Sequence, residues 1–100
     1  MNKHSKRERE VNTLMYEAIL SLKDIDEAIR FFDDLCSVTE LRAIEQRFQV
    51  AKLLSEGHIY NAILDETGAS SATISRVNRS LQYGTGGFDI VLNRIKKDEA

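Results

Sequence analysis

Residues 63–77 read ILDETGASSATISRV, and this stretch decides the fold. An apolar segment with helical spacing ends at Gly68, a residue type that adopts the left-handed backbone conformation without a Cβ penalty. Ser70 follows, and its hydroxyl is suited to accept a hydrogen bond from a free amide at the start of the next helix. The pattern therefore predicts two helices joined by a tight turn, a helix-turn-helix, over about residues 60–82.

The second helix of this motif has two faces of different character. Its apolar face comprises Ala69, Ile74, Val77 and Leu81. Its opposite face begins with side chains small enough to enter a DNA major groove. The candidate DNA-contacting residues are Asn61, Ser70, Ser71, Ala72, Thr73, Ser75, Arg76 and Arg79. The same local pattern also describes an ordinary αα-corner, and Leu64 stands where alanine usually allows close helix contact.

Composition predicts a small soluble helical protein. The chain has 100 residues, of which 42% are hydrophobic and 30% charged, and it contains no proline. No apolar run is long enough to span a membrane, and the N-terminus lacks the pattern of a secretory signal. The single cysteine, Cys36, cannot form an intrachain disulfide and suits a reducing cytoplasm. Because Cys36 lies in an apolar stripe, a structural thiol is favoured over a nucleophile.

Charge is distributed unevenly although the net charge is only −2. Residues 24–36 carry five acidic side chains against Arg30 alone, whereas residues 1–10 are basic on balance. The second motif helix carries Arg76 and Arg79 and no acid. This distribution permits DNA binding with the acidic helix turned away from the nucleic acid, and it equally describes solvated helix faces.

The apolar spacing predicts an all-α fold of about six helices. Residues 1–10 are expected to be a polar, basic and frayed arm or the start of a helix, and residues 11–97 are expected to form one helical domain. The first helix is expected from Val11 to about Leu22. Capping boxes predict further helix starts at Asp24 and Ser37. The third helix presents the stripe Leu41, Ile44, Phe48, Ala51 and Leu54. A glycine-rich hinge at residues 83–87 precedes the last helix, expected over residues 88–97.

A homodimer is the expected assembly, and an enzyme is not expected. The first helices are short and closely connected and carry many apolar residues, which favours intertwining with a second chain. A dimer also presents two recognition helices about one DNA turn apart. Neither His4 nor His58 is paired with a carboxylate or with the cysteine at the spacing that metal ligands or a catalytic triad would have. We therefore predict no catalytic residue and no metal site.

The chain resembles the tryptophan-repressor family, and specifically its Gram-positive branch. The matching residues are Leu53-Leu54, Gly68-Ala69, Ala72-Thr73-Ile74-Ser75-Arg76 and Ser80-Leu81, together with Ser37-Val38-Thr39-Glu40, Arg42, Ala43 and Arg47. The resemblance covers about residues 35–95 and is weak before residue 35. It implies a six-helix, intertwined homodimer that binds DNA.

The resemblance also implies a possible ligand pocket built from Arg47, Arg76, Val77 and Ser80. In tryptophan-responsive members two arginines sandwich the indole ring. Arg76 matches one of them, and Arg47 matches the other if a one-residue gap is allowed; without the gap Gln46 takes that place. Val77 stands where those members have glycine, so a different small corepressor, or none, is favoured over tryptophan.

The sequence thus predicts a cytoplasmic, sequence-specific DNA-binding transcriptional regulator, a repressor that binds a palindromic operator as a dimer. The partners are double-stranded DNA and a second copy of the chain, without membrane or metal. Arg76 has three roles that the residues leave open: phosphate contact, guanine contact or ligand contact. The alternative function is a helical protein-interaction module that keeps the fold without binding DNA and docks through the acidic residues 24–36.

Overall fold

A computed structural model describes residues 9–99 of the chain, with side chains to residue 98. The described residues form six helices and no strand: α1 (Leu14–Leu20), α2 (Ile25–Leu35), α3 (Val38–Ser55), α4 (Tyr60–Thr67), α5 (Ser71–Tyr83) and α6 (Gly87–Glu99). This confirms the predicted all-α class and the order of the helices. Most of the predicted N-terminal arm, residues 1–8, lies outside the described residues.

The chain separates into two compact units, with the boundary inside α3 between Ala43 and Ile44. The N-terminal unit contains α1, α2 and the first residues of α3. The C-terminal unit contains the rest of α3 and α4 to α6, so the whole predicted helix-turn-helix lies within it. None of the helices in residues 9–99 combines the length and apolar character that crossing a membrane requires.

Side-chain caps start two helices where the sequence predicts them. Asp24 Oδ1 accepts a hydrogen bond from the backbone amide of Glu27 at 2.8 Å, which begins α2. In a complete capping box the Glu27 carboxylate would accept from the amide of Asp24, the cap residue. Here it accepts from the amide of Lys23, one residue before the cap. At α3 the box is complete. Ser37 Oγ accepts from the Glu40 amide at 3.1 Å, and Glu40 Oε1 accepts from the Ser37 amide at 2.8 Å.

The first helix is shorter at both ends than the apolar spacing predicts. Asn12 Oδ1 accepts a hydrogen bond from the amide of Leu14, the first residue of α1, at 3.0 Å, and so satisfies an amide that has no partner within the helix. At the other end the Ser21 hydroxyl donates to the Ala18 carbonyl at 2.6 Å. Polar side chains that compete for backbone groups therefore confine α1 to Leu14–Leu20.

The N-terminal unit has no core of its own among the described residues. No side chain from residue 9 to residue 43 is buried, and Cys36 is only half-buried. Large apolar side chains are instead exposed, with Leu20 at 85%, Ile25 at 78% and Leu14 at 74%. Isolated exposed apolar residues are ordinary, but a unit in which no apolar side chain is fully buried has gained little of the burial that stabilises helices.

The C-terminal unit contains the hydrophobic core of the described chain. Its buried residues are Val50, Ala51, Leu53, Ile63, Ala69, Ile74 and Val77. Leu54, Leu81, Phe88 and Leu92 pack against them. Complete burial of each large aliphatic side chain contributes on the order of 1.5–3 kcal/mol. The first and last helices of this unit also meet through Phe48 and Phe88, whose ring centroids are 6.4 Å apart.

The face of α3 that forms this core differs from the predicted stripe. Val50 and Leu53 are buried although the predicted stripe omits both, and Ile44, which it includes, is 44% exposed. Ala51 is buried as expected, while Phe48 and Leu54 are half-buried. The predicted stripe was therefore wrong in part, because α3 carries apolar residues on more than one face and spacing alone cannot select among them.

Candidate nucleic-acid interface

The turn between α4 and α5 has the backbone geometry that the sequence predicts. Gly68 has φ of 71° and ψ of 6°, which is the left-handed conformation, and its amide donates to the Leu64 carbonyl at 2.9 Å. This hydrogen bond closes α4 in the way that is common at helix C-termini ending in glycine. The turn therefore contains two residues between the cap of α4 and the first residue of α5, Ala69 and Ser70.

Thr67 stabilises the same turn through a side chain that the sequence analysis did not single out. Its Oγ1 donates to the Ile63 carbonyl at 2.7 Å and accepts from the Ala69 amide at 3.1 Å. The Thr67 carbonyl in turn accepts from Gln46 Nε2 of α3 at 3.2 Å. A threonine directly before a helix-ending glycine is a recognisable turn signal. Gln46 gives no such signal, because it is 21 residues distant in the chain.

Ser70 caps α5 as predicted. Its Oγ accepts a hydrogen bond from the Thr73 amide at 3.1 Å and donates to the Thr73 hydroxyl at 3.1 Å. Such a cap stabilises a helix by about 1 kcal/mol. Both hydroxyls are therefore engaged with each other at the start of the helix, and Thr73 is half-buried.

The inner face of α5 is fixed in the core, and its outer face is open. Ile74 is 0% and Val77 3% exposed, and Ala69 of the turn is 2% exposed. This confirms the predicted apolar face of the motif. The outer face carries the exposed candidate residues Ser71, Ala72, Ser75, Arg76 and Arg79, and Asn61 is exposed on α4.

Leu64 does not prevent the two motif helices from packing. Its side chain is 40% exposed, whereas the neighbouring Ile63 is completely buried in the core. The contact between α4 and the core is therefore made through Ile63, one residue earlier in the helix. The departure from the usual small residue at position 64 is accommodated because this side chain lies at the border of the packed face.

The outer face of α5 is electropositive. The helix contains Arg76 and Arg79 and no acidic residue along its 13 residues. Its N-terminal turn also presents the positive end of the helix dipole toward the same exposed surface. Small hydroxyl-bearing side chains, two arginines and a positive helix terminus together form a surface suited to a polyanion.

The four residues of the predicted ligand pocket differ in their exposure to solvent. Val77 belongs to the hydrophobic core, while Arg47, Arg76 and Ser80 are exposed. Ser80 borders an open groove of about 570 Å³ whose other lining residues are Phe48, Gly84, Thr85, Gly87, Phe88 and Val91. Gln46, the alternative to Arg47, donates to the Thr67 carbonyl instead. The pocket stays a prediction.

Other chemistry-bearing residues form no cluster among the described residues. No three His, Cys, Asp or Glu side chains within residues 9–99 are grouped as metal ligands would be. His58 is exposed in the segment between α3 and α4, with Nδ1 3.2 Å from the Leu53 carbonyl oxygen. His4 lies outside the described residues.

Comparison with known proteins assigns the family. The sequence matches the family model described as the Trp repressor protein over residues 10–96, which is most of the chain. The chain belongs to the Trp repressor family. The match covers α1 to α5 completely and α6 as far as residue 96, and it includes the N-terminal region in which the sequence resemblance was weak.

Individual relatives of this Trp repressor-family protein agree with the assignment. It is 51% identical over 85 residues to the uncharacterized protein YerC of Bacillus subtilis (strain 168), covering 85% of this chain and 82% of YerC. A crystal structure of a candidate Trp repressor from Staphylococcus aureus is 48% identical, with a TM-score of 0.79 and 82% of both chains covered. A TrpR-like protein from Eubacterium eligens ATCC 27750 is 55% identical, with a TM-score of 0.79, over 82% of this chain and 84% of that one.

Proposed function

We propose that this protein is a sequence-specific DNA-binding transcriptional regulator of the cytoplasm, a repressor that binds a palindromic operator as a homodimer. The observation that carries the proposal is the outer face of α5. Small side chains and two arginines are exposed on a helix whose start is capped by Ser70 and whose inner face is buried. A rigidly held helix with a slim N-terminal half is what major-groove recognition requires.

The exposed residues of α5 divide into two roles by their chemistry. The hydroxyls of Ser71 and Ser75 are suited to base edges, directly or through ordered water, and the Ala72 methyl to the methyl group of thymine. Arg76 and Arg79 are suited to backbone phosphates, and Arg76 is also able to reach guanine. The exposed amide of Asn61 on α4 is suited to bind a phosphate and so to fix the register of the motif.

Ser70 and Thr73 support the exposed face of α5 by stabilising the first turn of that helix. Their hydroxyls bond to each other, and the Thr73 amide bonds to Ser70, so they hold the first turn of α5 in place. Loss of either hydroxyl would loosen the turn that carries Ser71 and Ala72. We therefore expect Thr73 to affect DNA binding through the geometry of α5.

The dimer is supported by the uncovered apolar side chains of the N-terminal unit. No side chain from residue 9 to residue 43 is buried within the chain. A second copy of the chain would cover such surface, and two-fold symmetry then matches the symmetry of a palindromic site. The family is one of regulators, which act by occupying DNA, so the proposed activity needs no catalytic residue.

The first experiment is a selection from random duplex DNA with purified, untagged protein at near-physiological salt and without added ligand. We expect enrichment of a two-fold-symmetric site. The selection is then repeated with tryptophan and with other small metabolites, which tests the predicted pocket of Arg47, Arg76, Val77 and Ser80. Absence of enrichment under every condition would contradict DNA recognition and support the protein-interaction module, with the acidic residues 24–36 as its docking surface.

Substitutions test the assignment of the contact helix. Arg76→Ala and Thr73→Ala are expected to abolish binding to the selected site while sedimentation shows an unchanged dimer. Arg94→Ala on α6 removes the same charge and serves as the control. Binding of the parent protein is expected to weaken steeply with salt, with a slope of about −0.9 per phosphate contacted. Wild-type affinity in both variants would show that α5 is not the contact helix.

A further inference from the structure

We propose that Gln46 is a positioning residue that sets the angle at which α5 meets DNA, by tying the turn of the helix-turn-helix to α3. The inference rests on the proposed function and deepens it, because it assigns to a residue outside the motif a part in DNA recognition. The observation behind it is the hydrogen bond from Gln46 Nε2 to the Thr67 carbonyl at 3.2 Å.

The direction of this hydrogen bond is determined by chemistry. A carbonyl oxygen only accepts, so the amide nitrogen of Gln46 must face Thr67. Gln46 is half-buried, which holds the side chain against the turn and limits competition from water. The bond therefore fixes one point of α3 to one point at the end of α4.

The bonded carbonyl lies where α4 ends and the turn begins. Thr67 is the last residue of α4, and its hydroxyl already bridges the Ile63 carbonyl and the Ala69 amide. The bond from Gln46 joins residues 21 apart, whereas the other side-chain hydrogen bonds from Thr67 to Thr73 join residues at most four apart. The local bonds shape the turn, and Gln46 determines where that turn sits on α3.

Apolar packing alone does not determine this position. The apolar part of the contact between α3 and the motif consists of aliphatic side chains such as Val50, Ile63 and Ile74, which attract each other without a preferred direction. A functional site has to hold its geometry to within about 0.5 Å, and directional bonds from supporting residues provide that precision. A donor on α3 that bonds the turn directly is suited to this task, and Gln46 is placed to do it.

The test compares Gln46→Met with Gln49→Met. Methionine preserves the length of the side chain and removes the donor, and Gln49 is an exposed glutamine of the same helix. We expect Gln46→Met to bind the selected operator about tenfold more weakly, with unchanged affinity for scrambled duplex and an unchanged salt slope. Gln49→Met should bind both duplexes as the parent does. Measurement well below the melting temperature separates this effect from reduced stability.

Two results would overturn the proposal. Equal weakening on operator and scrambled duplex, with a reduced salt slope, would mean that Gln46 contacts phosphate itself. Unchanged operator affinity in Gln46→Met would mean that the bond does not position α5.

Amide hydrogen exchange tests, without DNA, whether the hydrogen bond from Gln46 to Thr67 restrains the turn. In Gln46→Met the amides of Gly68 and Ala69 should exchange about two- to tenfold faster than in Gln49→Met, because the turn loses one restraining hydrogen bond. Equal exchange in the two variants would overturn the inference even if the operator is bound. If the parent protein bound no specific DNA, the proposed function would fall, and with it the role in DNA recognition; faster exchange would then establish only the tie itself.

Discussion

At the scale of single residues, the turn depends on a backbone conformation that most residue types avoid. Gly68 has φ of 71°, and a Cβ built at this position would meet no heavy atom within 4 Å. A larger residue would therefore be resisted by the conformation of the backbone and not by its neighbours. A substitution at residue 68 therefore measures the free-energy cost of the backbone conformation without a steric cost from neighbouring atoms.

Gly68→Ala is expected to lower the free energy of unfolding by about 1–2 kcal/mol, the cost of the left-handed conformation for a residue with a Cβ. Gly87→Ala is the control, because residue 87 starts α6 with equally open space and without a positive φ. We expect the control to be neutral or slightly stabilising. Urea denaturation at one fixed chain concentration measures both. Equal midpoints for Gly68→Ala and the parent would contradict the left-handed turn.

Glu40 contributes a pH-dependent part of the stability. The Ser37 amide donates to its carboxylate, and this bond, with the Ser37 hydroxyl, lowers the pKa of Glu40 below its ordinary value. The unfolded chain therefore binds a proton at higher pH than the native chain does. The contribution is complete above the ordinary glutamate pKa and is lost as the pH falls through the lowered pKa.

Glu40→Gln should lose less stability than the parent over this acidic range, since glutamine still accepts from the Ser37 amide but does not titrate. Urea midpoints at a series of pH values measure the difference, with Glu45→Gln, another exposed glutamate of α3, as the control. Parallel pH profiles for Glu40→Gln and the parent would show that this cap does not carry the acid dependence.

At the scale of helices, the elements that local chemistry specifies are the ones that the sequence predicts well. Asp24, Ser37, Gly68 and Ser70 act within three or four residues of their own positions, so each is readable from its neighbours. The bounds of α4 match the prediction, and the cap places the start of α5 at Ser71 as expected.

The elements that depend on distant parts of the chain were predicted less well. The buried face of α3 includes Val50 and Leu53 because α4 and α5 pack there, and no spacing rule within α3 contains that information. The bond from Gln46 to Thr67 has the same origin. The candidate surface of α5 was predictable because a helix with one apolar face fixes the position of its other face.

At the scale of the whole molecule, the proposed dimer makes α2 part of an interface. Ile25 and Ile29 of α2 are 78% and 55% exposed in the chain. Ile29→Glu would place a charge in that interface, and burying a charge without a partner is costly. We expect association to weaken roughly a hundredfold or more.

Sedimentation equilibrium over a range of concentrations checks this expectation. The control is Arg30→Gln, at the residue next to Ile29. This substitution changes the net charge by the same amount and removes only the exposed ion pair with Asp26. We expect the control to retain the mass of the parent. If Ile29→Glu also retained that mass at every concentration, α2 would lie outside the interface.

The exposed apolar side chains of the N-terminal unit also make the lifetime of this protein depend on its concentration. A chain that buries no side chain between residues 9 and 43 gains little stability in that region until a partner arrives. Freshly synthesised, dilute chains would present this segment to cellular proteases, and paired chains would not. The lifetime of the regulator would then rise with its own abundance, so that scarce copies are cleared and plentiful copies persist.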